Sequence, residues 1–351
     1  MDSLAIIGGG VAGLCAAIRL TELGFSPIVI EAGTYPSHKV CGEFFSPECL
    51  SILQRWQIHP TPLYRLHWHT LTQNLDFCFT PAAGSLSHLE FDPALVHYAR
   101  CQGAEIRTHT YVKAFRPQDI HTKWHEIELS TGEILRVNTV VIATGRLPCL
   151  YPKPPNMQYL GIKAHFEEIA LENALEMFSF SGAYLGICPV EKGKYNIACL
   201  AQLKETKKWS SPDLFMENLI QQHPRLNAYL KTSKRLFPNW MHTPIPAFGI
   251  KQTPNWPSAY FIGDAAGTIP PALGGGLSMA ITSGCLAAEY ILKNDPIGFK
   301  KAWHAQYAPS IYCGHLFHRA MLMPTLGNGV ISLGRSFPKL AQSLFHKIKN
   351  R

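Results

Sequence analysis

This 351-residue chain lacks the features that mark several large classes of protein. No apolar run reaches the ~18 uninterrupted residues that a membrane-spanning helix needs. An apolar run of strand length begins at residue 4 and leaves no room for a signal peptide before it. The sequence also has no internal repeat and no low-complexity tract. We therefore expect a globular, cytoplasmic protein without a transmembrane segment, and the length favours about two domains.

Charge and cysteine also lack the patterns that would point to particular partners. The formal net charge is +8, which suits an acidic substrate, a nicotinamide phosphate or a membrane surface. The basic residues form no run of five or more, so the sequence does not favour nucleic-acid binding. The ten cysteines include no CxxC pair, which favours reduced thiols. His67 with His69 and His315 with His318 have no cysteine or carboxylate partner at a metal-site spacing. No metal site is predicted.

The start of the chain carries the pattern of a dinucleotide-binding βαβ unit. The apolar run Leu4–Ile7 leads into the glycine-rich turn Gly8–Gly13, which reads GGGVAG. A helical pattern follows to about Leu23, and a second apolar run ends in Glu31. Strand, glycine turn, helix, strand and acid follow one another in the order that such a unit requires.

Each glycine of this turn has its own predicted task. Gly8 permits the tight turn, Gly10 lets the backbone approach a pyrophosphate, and Gly13 lets the helix pack against the sheet. The helix N-terminus would direct its free N–H groups toward the phosphates. Glu31 would accept hydrogen bonds from a ribose diol and repel a 2′-phosphate. The sequence therefore predicts a bound dinucleotide without a phosphate at this ribose.

A second signal lies about 250 residues further along. The apolar run Tyr260–Ile262 ends in Gly263-Asp264, small residues follow, and a helical pattern begins after Gly274-Gly275-Gly276. An aspartate here can accept hydrogen bonds from a polyol, and small residues let the backbone lie against a flat ring. The positive end of the helix would favour a reduced flavin, which carries negative charge near its pyrimidine edge.

The remaining pattern predicts an α/β protein with a discontinuous Rossmann-like domain, an inserted and mainly antiparallel sheet domain, and a helical C-terminal tail. The predicted domains are 1–60, 86–150 and 251–295 for the cofactor, 61–85 and 151–250 for the substrate, and 296–351 for the tail. The predicted elements include hairpins over 63–80 and 126–137, a helix over 91–102 capped by Asp92 before Pro93, a strand over Glu105–Ala114, a buried strand Val140–Ala143, four strands within 160–204, helix over 212–235, a helix from Gly275 to about Lys293, and tail helices broken near Pro324 and Pro338.

These motifs resemble the FAD-dependent oxidoreductases of the para-hydroxybenzoate hydroxylase and geranylgeranyl reductase superfamily over nearly the whole chain. The resemblance depends on Gly8–Gly13 with Glu31, on the strand ending Ala143-Thr144-Gly145, and on Gly263–Gly267. The segment Lys39–Glu48, which reads KVCGEFFSPE, is closest to a bacterial branch that is often encoded beside type III polyketide synthases.

The resemblance implies FAD bound in an extended pose, with NADPH or NADH as a transient electron donor. Gly8, Gly10 and Gly13 would hold the pyrophosphate, Glu31 the adenosine ribose and Asp264 the ribityl chain. The other cofactor contacts that we predict are Val11, Ala12, Ala32, Lys39, Cys41, Gly42, Val112, Thr144, Gly145, Gly263, Gly274, Gly275, Gly276 and Leu277. Many relatives carry arginine where this chain has His88, so one expected cofactor contact differs here.

Two side-chain groups would decide the chemistry. Cys41 follows Lys39 in the loop expected near the flavin, where a cation could lower the pKa of its thiol, so it is the candidate catalytic residue. The inserted sheet should supply an apolar substrate pocket. The candidates for its lining are Phe166, Phe178, Phe180, Tyr184, Ile187 and Phe248.

The preferred function is NAD(P)H-driven monooxygenation of an aromatic or polyketide-like apolar substrate. The first alternative is a flavin-dependent reductase of an isoprenoid or another alkene, and the second is a non-catalytic flavin- or nucleotide-binding protein. A reductase of lipids should contact membranes through the basic tail, which includes Lys339, Lys347, Lys349 and Arg351, and removal of the chain after Leu333 would test this. The sequence predicts no oligomeric state.

Overall fold

The computed structural model describes residues 3–119, 122–146, 150 and 156–349. The sequence also predicts a crossing over residues 151–156, of which 151–155 lie outside the described part, as do Cys149, the side chains of Lys347 and Lys349, and Arg351. The fold is mixed α/β, as the sequence predicts. Its strands are β1 Leu4–Ile7, β2 Ile28–Ile30, β3 Phe44–Phe45, β4 Thr61–His69, β5 Asn74–Ser85, β6 Glu105–Arg107, β7 Val112–Arg116, β8 His125–Leu129, β9 Ile134–Val137, β10 Thr139–Ile142, β11 Met157–Glu167, β12 Ala174–Phe180, β13 Ala183–Pro189, β14 Tyr195–Gln202, β15 Lys234–Arg235, β16 Met241–Pro246, β17 Gly249–Ile250, β18 Ala259–Phe261 and β19 Gly267–Thr268.

The helices connect these strands and close the C-terminal end of the chain. They are α1 Val11–Glu22, α2 Leu50–Arg55, α3 His88–Cys101, α4 Leu203–Thr206, α5 Pro212–Gln222, α6 Pro224–Lys231, α7 Gly276–Leu292, α8 Pro296–Leu322, α9 Pro324–Ser336 and α10 Pro338–Lys349. The tail breaks fall at the two predicted prolines because proline removes a backbone donor and starts a helix readily. In the described part of the chain, no helix is both long and apolar enough to cross a bilayer.

The parallel sheet runs in the order β18-β10-β1-β2-β6. Its central strands β1 and β10 are buried on both faces, which explains why each reads as a continuous apolar run. Strand β1 pairs with β10 from Leu4 opposite Thr139 to Ile7 opposite Ile142. Helices α1 and α7 pack together, and a β-carbon added at Gly284 would lie 2.6 Å from the Ala12 carbonyl oxygen. This arrangement brings both glycine-rich turns to the carboxyl edge of one sheet.

The larger sheet has nine strands in the order β15-β11-β14-β13-β12-β4-β5-β3, with β16 also paired to β11. Its pairs are antiparallel except that β12 runs parallel to β4. Strand β3 belongs to this sheet although the predicted boundary places residues 1–60 with the cofactor domain. The domain boundaries themselves remain a prediction.

Three predicted elements are wrong in detail. The predicted helix over 212–235 is two helices, α5 and α6, followed by strand β15 at Lys234–Arg235. Helix α3 begins at His88, after Ser87, so Asp92 lies inside the helix and is not its cap. The carboxylates of Glu191 and Glu43 accept the backbone N–H groups of Ser87 and His88 at 2.9 Å, and thereby satisfy the helix start from a distance. The predicted strand Glu105–Ala114 is two short strands, β6 and β7, in different sheets. The chain turns between them, where His109 has a φ of 52°.

Candidate functional site

The glycine turn after β1 is fixed by close backbone packing. Gly8 has a φ of 106°, and a side chain there would overlap the carbonyl of Ala143. A side chain at Gly13 would overlap the carbonyl oxygen of Gly8. Gly10 differs from both, because nothing lies within 4 Å of the position that its β-carbon would occupy. Two glycines of the turn therefore serve packing, and the third leaves open space.

That open space belongs to a cavity of about 590 Å³ between the parallel sheet and the nine-stranded sheet. This volume is within the range of sites for small molecules and cofactors. The cavity is lined by these predicted cofactor residues: Gly10, Val11, Ala12, Lys39, Cys41, Gly42, Thr144, Gly145, Asp264, Gly274, Gly276 and Leu277. The remaining ones lie outside its lining: Gly8, Gly13, Glu31, Ala32, Val112, Gly263 and Gly275.

Four glycines form a cradle that suits an extended dinucleotide. No atom lies within 4 Å of a β-carbon built at Gly10, Gly42, Gly145 or Gly276, and all four residues line the cavity. Side chains at these positions would occupy the cavity and not the protein core. Gly276 also begins α7, whose first N–H groups lie at the positive end of that helix. The residues present therefore fit FAD, although the cofactor roles of single residues remain predictions.

Glu31 braces the glycine turn in this structure. Its carboxylate accepts hydrogen bonds from the backbone N–H groups of Gly9 and Gly33, each at 2.7 Å. The Tyr35 hydroxyl donates to the carbonyl of Gly9. These contacts hold the end of β2 against the turn after β1. A ribose diol would have to share a carboxylate that the backbone already uses.

Asp264 lines the same cavity and lies in a 3₁₀ turn after β18. Burial raises the pKa of its carboxyl group, and the nearby charges of Arg146 and Lys251 oppose that rise. The Arg146 Nε atom is 4.0 Å from Asp264 Oδ2. Lys251 Nζ donates to the carbonyl oxygens of Gly145 and Arg146, at 3.3 and 2.8 Å, and so connects the two turns that face the cavity.

Cys41 is part of a linked group of four side chains, of which Cys41, His88 and Lys39 line the cavity and Asp92 is buried outside its lining. His88 Nδ1 is 2.8 Å from Asp92 Oδ1, and Lys39 Nζ is 2.7 Å from Asp92 Oδ2. His88 also hydrogen-bonds the Cys41 thiol, and Cys41 Sγ accepts the backbone N–H of Glu43 at 3.3 Å. We call Cys41, His88 and Asp92 the thiol triad.

Charge separation within the thiol triad outweighs burial. Burial alone would raise the pKa of the Cys41 thiol, but the hydrogen bond and charge of His88 lower it to below its ordinary value. Burial would lower the pKa of His88, but the hydrogen bonds to Asp92 and Cys41 raise it. Burial would likewise raise the pKa of Asp92, and His88 and Lys39 lower it. The contacts of His88 therefore stabilise the ionised form of the thiol, and those of Asp92 and Cys41 stabilise the protonated form of the imidazole.

A second charged group lies directly behind the thiol triad and is fully buried. Glu43 Oε1 is 2.5 Å from Lys163 Nζ, and Glu43 Oε2 is 2.8 Å from His165 Nε2. Lys163 Nζ also donates to the Lys39 carbonyl oxygen at 3.0 Å. Because Glu43 accepts the N–H of His88 as well, this group fixes the loop that carries Cys41 to the start of α3.

Sequence analysis missed most of these residues. Glu43 lies in the segment Lys39–Glu48 that carries the family resemblance, but the sequence pattern predicts no role in the site for Lys163, His165 or Asp92. The available signal was the pair Lys163 and His165 within the apolar strand pattern of 161–166, because charge rarely enters such a strand without a buried partner. No local pattern points from this pair to Glu43, which is 120 residues away from Lys163.

The far half of the cavity is apolar. Of the predicted substrate-pocket residues, Tyr184 and Phe248 line it. The prediction was wrong for Phe166, Phe178, Phe180 and Ile187, which belong to the hydrophobic core on the other face of the large sheet. Alternate residues of a strand face opposite sides, so the cavity receives neighbouring positions instead. The observed apolar lining includes Leu66, Phe77, Leu175, Met177, Phe317 and Phe345.

The paired histidines do not line this cavity. His67 Nδ1 is 2.7 Å from Asp76 Oδ1, and His69 Nε2 is 2.5 Å from Glu176 Oε2. His318 is buried among aromatic rings, and burial lowers its pKa to about 4. Among the described residues, no three histidine, cysteine, aspartate or glutamate side chains are placed to hold a metal ion together.

Comparison with known proteins agrees with this geometry. Residues 6–41 match the model of the NAD(P)-binding Rossmann-like domain. A menaquinone reductase of Mycolicibacterium smegmatis is 22% identical over an alignment of length 343 that covers 86% of this chain and 78% of the relative. Among solved structures, a flavin-dependent brominase is similar with a TM-score of 0.83, 15% identity, and coverage of 100% of this chain and 94% of that one.

The fold is that of flavin-dependent oxidoreductases. A probable FAD-dependent monooxygenase from Pseudomonas aeruginosa is similar with a TM-score of 0.77 and 13% identity, covering 94% of this chain and 99% of that one. A flavoprotein/dehydrogenase from Cytophaga hutchinsonii has a TM-score of 0.81 and 15% identity, covering 99% of this chain and 92% of that one. At such identities the likeness concerns the fold. It confirms the predicted fold class, whereas the branch beside polyketide synthases remains a prediction.

Replacement of Gly10 by valine should weaken flavin binding and leave the fold intact. The valine side chain would enter the cavity where no protein atom lies within 4 Å. Its steric overlap with a bound ligand should cost about 1–3 kcal/mol of binding free energy, which corresponds to roughly a tenfold to 100-fold loss of affinity. Titration of FAD by fluorescence measures the loss. Gly329→Val is the matched control, because Gly329 is equally open but lies outside the cavity lining. Equal affinity of the two variants would contradict the assignment of the cradle.

Proposed function

We propose that the chain is a flavin-dependent oxidoreductase that reduces a carbon–carbon double bond in an apolar, isoprenoid-like substrate. The observation that carries the proposal is that Cys41 and His88 of the thiol triad line a cavity whose far half is apolar, with Asp92 holding His88 from behind. Reduction of a double bond places a hydride on one carbon and a proton on the other. A bound reduced flavin supplies the hydride, and the thiol triad holds a proton beside the same space.

The position of that proton follows from the contacts of His88. Because Asp92 engages Nδ1 at 2.8 Å, we assign the hydrogen bond with the Cys41 thiol to the other ring nitrogen, Nε2, and the two groups share a proton. Cys41 Sγ lines the cavity and can pass this proton to the substrate carbon. The transfer leaves thiolate and neutral imidazole, and Asp92 keeps the ring oriented until solvent returns a proton to it.

The curated relative supports the choice of substrate. Menaquinone carries an isoprenoid chain, and a menaquinone reductase aligns with 86% of this chain. The apolar half of the cavity, with Leu66, Phe77, Leu175, Met177 and Phe317, suits such a chain better than it suits a charged metabolite. We propose NADPH or NADH as the electron donor, bound transiently.

An NAD(P)H-driven monooxygenase of an aromatic or polyketide-like substrate is the second candidate, and the shared fold with a probable FAD-dependent monooxygenase favours it. Oxygen chemistry in this cavity would expose Cys41 to oxidants. Oxidants convert an ionised thiol to sulfenic acid more readily than a protonated one. The lowered pKa of Cys41 therefore favours the reductase.

An anaerobic reaction distinguishes the two candidates. The FAD-loaded protein, reduced with NADPH, is mixed without oxygen with detergent-dispersed menaquinone or with a polyprenol. We expect the flavin to be reoxidised and the product to retain two added hydrogen atoms after exposure to air. A gain that air reverses would indicate reduction of the quinone ring. Reoxidation that requires oxygen, with an added oxygen atom in the product, would overturn the reductase and support the monooxygenase.

A further inference from the structure

The three C-terminal helices expose an unusual number of large apolar side chains. Of the 18 that are exposed in the described part of the chain, nine lie between residues 312 and 344. We call these nine the outer apolar face. They are Tyr312, Leu316, Met323, Leu326, Val330, Leu333, Phe337, Leu340 and Leu344.

Their spacing places them on continuous helix faces. In α9, Leu326, Val330 and Leu333 follow one another at intervals of four and three residues, and Phe337 comes four residues later. Such intervals return to the same side of a helix. The opposite side of α9 is buried through Gly327, Ile331 and Gly334. A helix that is apolar on two sides needs a second apolar environment beyond the protein core.

The charge of the chain is concentrated in the same segment. Residues 296–351 contain eight lysines and arginines and no aspartate or glutamate, so their formal charge equals the +8 of the whole chain. The other 295 residues carry no net formal charge. Arg319 and Lys339 are exposed within the outer apolar face. Exposed leucine and phenylalanine beside lysine and arginine, without acidic residues, are typical of helices that lie in the interface of an anionic bilayer.

The cavity reaches the same helices. Phe317 of α8 and Phe345 of α10 line it and are half-buried, and Phe345 stacks on Phe77 with ring centroids 4.7 Å apart. These two rings connect the interior of the cavity with the segment that carries the outer apolar face.

We propose that α8–α10 dock the protein on the surface of an anionic lipid bilayer, so that an apolar substrate passes from the lipid into the cavity between Phe317 and Phe345. The passage of substrate rests on the proposed function, whereas the docking does not. Residues from both sides of the breaks at Pro324 and Pro338 contribute to the surface, so the helices would lie along the membrane and not cross it.

Vesicle co-sedimentation of the full chain tests the docking without any turnover. Vesicles of phosphatidylcholine with and without phosphatidylglycerol are the probes. We expect binding to the anionic vesicles that weakens with salt. Arg319→Gln with Lys339→Gln should lower the partition coefficient by about 30-fold. Leu316→Ser with Leu333→Ser should lower it at least about tenfold. Leu316 and Leu333 are 74% and 63% exposed, so these variants should fold normally.

Matched substitutions elsewhere control for general loss of charge or apolar surface. Lys123→Gln with Lys207→Gln removes two exposed basic groups outside the tail, and Ile134→Ser with Leu292→Ser removes two exposed apolar ones. Both controls should retain binding. Deletion after Leu333 is a weaker test, because Tyr312 and Leu316 would remain.

Three outcomes would overturn the docking proposal. The first is absence of binding to both kinds of vesicle, and the second is binding that the tail and control variants change equally. The third is a dimer in solution that the Leu316→Ser and Leu333→Ser pair dissociates, which would mean that a second copy covers the outer apolar face. If vesicles bind but no double bond is reduced, the docking stands and the proposed function fails.

Discussion

Replacement of Glu43 by glutamine should lower the free energy of unfolding by about 3–5 kcal/mol, because it leaves the ammonium group of Lys163 buried without its counter-charge. Both side chains are fully shielded from solvent, and their charged atoms are 2.5 Å apart. His165 Nε2 and the backbone N–H of His88 lose the same carboxylate. Urea denaturation of the FAD-free protein measures the change.

Two further variants show whether the buried charge is the cause. Glu43→Gln combined with Lys163→Met removes both charges and should recover a large part of the loss. Glu90→Gln removes the carboxylate of the exposed pair with Lys192, whose side chains are 46% and 70% exposed, and should change stability little. If the double variant is no more stable than Glu43→Gln, the loss comes from loop geometry and not from an unpaired charge.

The pH dependence of the Glu43 effect has a definite sign. Burial alone would raise the pKa of Glu43, but His165 and Lys163 lower it to about 2 in the folded protein, compared with about 4.3 for an unperturbed glutamate. Its stabilising contribution is therefore complete above the unperturbed value and disappears as the pH falls toward the folded one. The stability difference between wild type and Glu43→Gln should shrink between about pH 5 and pH 2.

The parts of the fold that the sequence predicted are those encoded locally. Gly8 and Gly13 identify the βαβ unit because their roles depend mainly on residues of the same short turn. Pro324 and Pro338 identify helix starts because the effect of proline on the backbone is also local. The presence of the strands could also be predicted from the sequence. Which face of each strand lines the cavity could not be predicted, because Tyr184 and Ile187 have similar apolar character and only sheet pairing decides which of them reaches the cavity.

The buried charges escaped prediction for the opposite reason. Cys41, His88 and Lys163 come together from a loop, a helix start and a strand. The start of α3 also differs from the predicted one, because Glu43 and Glu191 supply hydrogen-bond acceptors from elsewhere in the chain. These contacts override the capping preference of Asp92 before Pro93. The sequence shows such tertiary contacts only as single unexpected residues, such as Lys163 in an apolar strand. It contains no spacing pattern that would identify the partners of these residues.

Replacement of Cys41 by alanine should slow double-bond reduction by about 10²–10⁴-fold, the usual contribution of a positioned proton donor. FAD binding and reduction of the flavin by NADPH should persist, because the glycine cradle and Asp264 are untouched. Single-turnover reoxidation of the reduced flavin by the alkene measures the step. Cys199→Ala is the matched control, because Cys199 lines the same cavity and burial raises the pKa of its thiol.

His88→Asn separates a positioning role from a merely structural one. Without the imidazolium, burial should raise the pKa of the Cys41 thiol above its ordinary value, whereas in the wild-type protein His88 holds this pKa below it. The rate of iodoacetamide alkylation as a function of pH, with Cys41→Ala subtracted, reports this shift without any turnover. Flavin reoxidation in His88→Asn should slow in parallel with Cys41→Ala.

The two readouts together decide whether the thiol triad acts as a unit. If His88→Asn shifts the alkylation profile but Cys41→Ala retains full activity, the thiolate exists and has no part in the proton transfer. If neither the profile nor the rate changes, the interaction between His88 and Cys41 is structural. If one proton passes through both residues, we expect His88→Asn to shift the alkylation profile and both single variants to lose activity. The variant that combines Cys41→Ala with His88→Asn should then be no slower than either single variant.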